Sequence, residues 1–201
     1  MQGSDLTLFV CETYREEVTH VVSGIPGIRI RTCFFPHFCS SGYQRIEEIR
    51  SFFSSCLLDG EAGLYFGDSE LVRRGILPAG VHHVGPDSCH ELIAPAEVIR
   101  DLYTHGSHLL VPGWILRWEA YVGEMGFDSR VPTAFYSSNL TESVVLDSGL
   151  LPIPPERIRS FEVFSGLSVR TIPVGISHIT AIIRSEVFRW YADHIRSALA
   201  S

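Results

Sequence analysis

The chain has 201 residues, is 45% hydrophobic and carries 16 basic against 23 acidic residues, a net charge of −7. That length buries a sizeable core in one domain, and the acidic balance excludes a general nucleic-acid binder, which needs a basic stripe. Every basic residue is arginine, so Schiff-base, P-loop-lysine and lysine-base chemistry is excluded as well.

No secretory signal and no apolar run long enough to span a bilayer is read. Five cysteines is an odd number, and their spacing is no disulfide framework. A reduced, cytoplasmic setting is the expectation, with the cysteines metal-binding, catalytic or buried rather than bridged. The size fits a free-standing protein or a domain of a longer one.

After a loose start over Met1 to Asp5, the apolar run Leu6 to Val10 reads as a buried strand delivering Cys11 to a sheet rim. A helix is expected from Thr13 to Ser23, with Thr13 as N-cap and Glu16 as its capping-box partner. Gly24, Pro26 and Gly27 end it. Ile28 to Cys33 is the second strand and runs into Phe34-Phe35-Pro36-His37-Phe38-Cys39. Tyr43 to Leu57 has the helical period, with Ile46, Ile49, Phe52, Phe53 and Cys56 on one face. Ala62 to Phe66 is the third strand, followed by Gly67-Asp68-Ser69 and a short helix to Arg74.

A weak strand covers Val81 to Val84, and Pro86-Asp87-Ser88 opens a helix carrying Cys89, His90 and Glu91, which Pro95 kinks or ends. A helix from Ala96 to Thr104 and a strand from Ser107 to Val111 come next. Trp114 to Met125 is expected as one helix with Trp114 and Trp118 one turn apart. Ser143 to Asp147 is a strand, Pro154 and Pro155 start a helix to Phe164, and Ser168 to Val174 is the last strand. From Ile176 a long amphipathic helix reaches Ala200. Strands alternating with helices predict a single α/β domain over 1–201: a three-layer sandwich with a mainly parallel, Rossmann-like sheet and helices on both faces.

In such sheets ligands bind beyond the carboxyl ends of the strands. Cys11, His37, Asp68 and Cys89 all fall at predicted strand ends or helix starts, and thiol with imidazole suits zinc or iron. Each has a plainer reading: a buried thiol for Cys11, a helix cap for Asp68 and a sheet-side thiol for Cys89. The Cys33-x3-His37-x-Cys39 spacing matches no zinc finger. A helix N-terminus lowers a thiol pKa, which makes Cys89 the expected reactive or ligating thiol. Cys39, Ser69, His90, Trp114, Asp147 and Ser148 are further ligand-binding candidates, Trp114 as an aromatic wall at the pocket mouth and Asp147-Ser148-Gly149 otherwise as a turn. His82 and His83 point to opposite faces, and His105 and His108 read as loop residues. No GxGxxG, GxxxxGK[ST] or HExxH occurs.

Taken in order, Cys11, His37, Gly67-Asp68, Cys89 with Glu91, Pro112-Gly113-Trp114 with Trp118-Glu119, Val145 to Gly149 and Gly166-Leu167 resemble the "domain of unknown function 1638" family, in register from Leu6 to Ile183. The family is known mainly from bacteria and methanogenic archaea. Some of its members sit near corrinoid-dependent methyl-transfer systems, which implies a corrinoid-system partner protein. Its pattern has cysteine where this chain has Ser69. A metal site would then lack one soft ligand, with Asp68, Cys39 or His90 in its place or one position open.

Three functions follow as expectations. The first is a metal- or small-ligand-binding domain using Cys11, His37, Cys89 and Asp68. The second is an enzyme of thiol or methyl-group transfer using Cys89. The third is a sensory or interaction module pairing through the terminal helix, with a second copy or another protein. Neither nucleic acid nor membrane is an expected partner.

Overall fold

The computed structural model describes residues 5–37, 46–57, 62–125 and 140–200. Among the described residues seven strands run parallel to their neighbours throughout: β1 (Asp5–Cys11), β2 (Arg29–Phe35), β3 (Ala62–Phe66), β4 (Val81–His83), β5 (Ser107–Leu110), β6 (Glu142–Asp147) and β7 (Val169–Pro173). They are divided between two hydrogen-bonded sheets, ordered β2-β1-β3-β4 and β5-β6-β7. In the first, Leu8 lies between Thr32 and Leu64; in the second, Val145 lies between Leu110 and Thr171.

Leu6 to Val10 of β1 and Ser143 to Leu146 of β6 are buried without interruption. A strand reads so only when both of its faces are covered. The helices do the covering: α1 (Arg15–Ser23), α2 (Ile46–Cys56), α3 (Glu70–Arg73), α4 (Ala96–Thr104), α5 (Pro112–Ile115), α6 (Trp118–Glu124), α7 (Pro155–Ser165) and α8 (Ser177–Ala200). The chain is α/β, with Rossmann-like parallel sheets, as its alternating pattern predicts. Among the described residues no helix is long and apolar enough to cross a membrane.

α2 presents Ile49 and Phe53 to the first sheet, where the Phe53 ring sits 5.0 Å from Phe9, 5.8 Å from Phe35 and 5.6 Å from Tyr65. α8 buries Ile179, Ile183 and Val187 completely, and Arg184 donates to the Gly24 carbonyl at the end of α1.

Three expectations change. Cys33 and Cys56, expected unbridged, form a disulfide joining β2 to the end of α2. The Arg31 guanidinium bonds the Cys56 carbonyl and Thr7 Oγ1 beside it. The pairing is set by the docking of α2 on an edge strand, a tertiary contact that cysteine spacing does not encode. Thr13 is no N-cap: a 3-10 turn, Glu12–Tyr14, precedes α1, and the Thr13 hydroxyl donates to Cys11 Sγ at 3.3 Å. The helix expected over Trp114 to Met125 is two helices broken at Leu116 and Arg117.

Candidate ligand-binding site

Chain segments from both sheets meet around a cavity of about 360 Å³. β1 and its 3-10 turn bring Cys11, Thr13 and Tyr14. The end of β2 brings Phe35 and His37, and β3 with its turn brings Tyr65, Gly67 and Asp68. The loop after β4 brings Asp87, Ser88, Cys89 and His90. From the second sheet come His108 to Val111, with Trp114 on α5, while Tyr103 is contributed by α4. The cavity therefore lies at the carboxyl ends of β1, β2 and β3, with β5 and α5 on its other side.

Cys11, His37, Asp68, Cys89, His90 and Trp114 of the sequence candidates line it. Ser69, Asp147 and Ser148 are not on its lining. Ser69 starts α3, its N–H bonded to the Asp87 carbonyl. Asp147 Oδ1 accepts the Gly149 N–H at 2.8 Å, which is turn chemistry. The buried Ser148 donates to Glu17 Oε1 at 2.6 Å. Cys39 lies outside the described residues. Trp118 turns away to Phe161 and Phe164, its ring 4.6 Å from the latter.

Local bonds hold each lining group. The Tyr14 hydroxyl donates to the Cys89 carbonyl at 2.8 Å, and the Tyr65 hydroxyl to the Asp68 carbonyl at 3.1 Å. Asp68 Oδ1 accepts the Glu70 N–H at 2.7 Å and so caps α3. His90 Nδ1 pairs with the Tyr103 hydroxyl at 2.9 Å, and its ring also bonds the Leu109 backbone. His37 packs 4.9 Å from the Tyr121 ring and edge-on to Trp114. Trp114, buried rather than at the mouth, meets His108 edge-on at 5.9 Å. Tyr103 is 49% exposed and marks where the cavity opens.

Burial decides the charge states. The imidazoles of His37, His90 and His108 are each lowered from 6.5 to about 4 by loss of water. The Cys11 thiol is raised to about 11, mainly by burial. Cys89 reaches about 12, through burial and then the neighbouring Cys11 and Asp68. This corrects the expectation of an activated Cys89. Its helix is one 3-10 turn, Cys89–Leu92. A helix terminus is worth about 0.3–1 kcal/mol to a charge, less than about one pKa unit, and desolvation overrides it. At neutral pH the wall presents protonated thiols and uncharged imidazoles.

No protein-family profile matches the chain, and no curated protein does. A solved structure similar to it is the catalytic subunit of M. jannaschii aspartate transcarbamoylase, at 13% identity and a TM-score of 0.25, over 85% of this chain and 56% of that one. The chain spans just over half of that subunit's length.

Among the described residues no group of three or more His, Cys, Asp or Glu side chains is disposed to hold an ion. Several of these side chains are held by local bonds instead: Asp68 caps a helix, Cys11 accepts a hydroxyl, and His90 is bonded to both Tyr103 and Leu109. Cys11, His37, Asp68 and Cys89 share a cavity without sharing a coordination sphere. Tyr14, Tyr65, Tyr103 and His108 were not foreseen on the wall. His108, read as a loop residue, belongs to β5 and bonds Ser143 Oγ at 3.5 Å. A signal for Tyr14 was its place three residues after Cys11.

Proposed function

We propose that this chain is a small-ligand-binding α/β domain whose ligand occupies the cavity between the two sheets. The observation that carries the reading is convergence: Cys11, His37, Asp68, Cys89 and Trp114, far apart in sequence, line one space. About 360 Å³ suits a compact organic molecule at the lower end of ligand pockets. Trp114 and the tyrosines offer aromatic surface, while His37 and the two thiols offer uncharged hydrogen-bonding groups. The resemblance to the domain of unknown function 1638 family, and with it a corrinoid-system partner protein, belongs to this same proposal.

A fragment screen by NMR on the full chain tests the reading. Binding should move the ring signals of His37, His108 and Trp114 together. Fragments that bind only elsewhere, or none that bind, would remove it. Zinc or iron is the second reading, favoured by the two thiols and three imidazoles around one space, and it requires those donors to draw together. About one equivalent of metal in anaerobically purified protein, lost in a Cys11→Ala/Cys89→Ala double variant, would replace the organic ligand by an ion.

A further inference from the structure

We propose that the occupant of this cavity is a small organic cation whose charged end carries alkyl groups, such as a methylated ammonium. The inference rests on the cavity being a ligand site and names the class of ligand. Two independent features of the wall point to it. Its aromatic residues are Tyr14, Phe35, Tyr65, Tyr103 and Trp114, and aromatic rings attract cations, quaternary ammonium groups above all. Its formally charged residue types, among those described, are Asp68 and Asp87, with no arginine beside them; lysine is absent from the chain altogether.

An anion is poorly served here. A phosphate or carboxylate needs guanidinium, ammonium or a bundle of backbone N–H groups, and the imidazoles on the wall are held uncharged by burial. A primary ammonium is poorly served too. Its three donors need three acceptors at once, and Asp68 Oδ1 already accepts the Glu70 N–H; a buried donor left unmet is costly. An alkylated nitrogen brings charge without that demand. Its alkyl groups lie against Leu109, Leu110 and Val111. Asp87, exposed near the opening, favours entry of the positive end.

The test uses three probes of one shape on the full chain: choline, its uncharged isostere 3,3-dimethylbutan-1-ol, and the anion 3,3-dimethylbutanoate. Affinity is read by titration of the Trp114, His37 and His108 ring signals. Choline is expected to bind about tenfold tighter than the alcohol, with the anion not binding. Asp87→Asn, an exposed position, should narrow the gap between choline and the alcohol. Binding of the alcohol as tight as choline, or tighter, would overturn the cation and leave the cavity reading standing. If choline leaves the ring signals unmoved while screened fragments shift them, the cation alone falls. If nothing moves those signals, both readings fall.

Discussion

Replacing Gly113 by alanine is expected to prise apart the contact that shapes the cavity. Gly113 lies in α5 with its backbone against Thr13 in the 3-10 turn after β1. A Cβ built there would sit 2.9 Å from the Thr13 carbonyl carbon, 3.1 Å from its Cα, and nearer still to its oxygen, where real Cβ atoms stay beyond 3.0 Å. The obstacle is backbone, so no side-chain rotation relieves it. The turn and α5 must separate by roughly 1 Å, and overpacking of this kind costs about 1–3 kcal/mol. The change also stiffens the unfolded chain, which returns about 0.4–1 kcal/mol. A net loss of about 1–2 kcal/mol remains. The same movement stretches the bonds of Glu12 to Arg117 (3.2 Å) and to the Tyr121 hydroxyl (3.1 Å). Urea denaturation at equilibrium measures the loss. Gly123→Ala is the control: this exposed α6 residue has nothing described within 4 Å of an added Cβ, so the variant should gain up to about 1 kcal/mol. If the two variants prove equally stable, the close approach is not what the site depends on.

Three further outcomes are expected. Burial raises the Glu17 carboxyl above its ordinary 4.5, so its contribution to stability is most favourable below that value and is eroded as pH rises through the folded one. Glu17→Gln keeps an acceptor for Ser148 and should be more stable than the parent at pH 8, with the gain vanishing near pH 4; a loss at pH 8 in urea melts would contradict this. Cys11, buried, and Cys89, half-buried, with pKa values raised to about 11 and about 12, should react with iodoacetamide at pH 7 far more slowly than a free thiol, and fast labelling by peptide mass spectrometry would refute the raised pKa values. Thiol titration in denaturant without reductant should find no more than three of the five cysteines free; opening the 23-residue loop of Cys33–Cys56 should cost about 3 kcal/mol, and five free thiols would exclude the bridge.

Much of the fold is legible because hydrophobic period is a local property. Ala62 to Phe66 and Ala96 to Thr104 form as read, the first buried from Gly63 onward and the second with Ile99 and Leu102 turned inward. What failed depended on partners distant in sequence. The break at Leu116 and Arg117 sends Trp114 to the cavity and Trp118 to Phe161 and Phe164, although four-residue spacing puts both on one helix face. Strand order was unreadable, so the split into two sheets was too. The Cys33–Cys56 pair follows from where α2 docks.

The sharpest gap between sequence and site is electrostatic. Residue type marks Cys11, Cys89, His37 and His90 as metal ligands or nucleophiles, and the fold does bring all four to one wall. Yet ligand and nucleophile chemistry at a thiol needs the thiolate, and the environment that gathers these residues also withholds the water that would stabilise one. An arginine on the wall would reverse this for the thiols, and none of the described lining residues is one. An incoming cation can supply the missing charge from the ligand's side. Cation binding should then lower the thiol pKa of Cys89, whose neighbour Asp68 otherwise raises it, so faster iodoacetamide labelling of Cys89 with choline bound would link the ligand's charge to the thiol's chemistry.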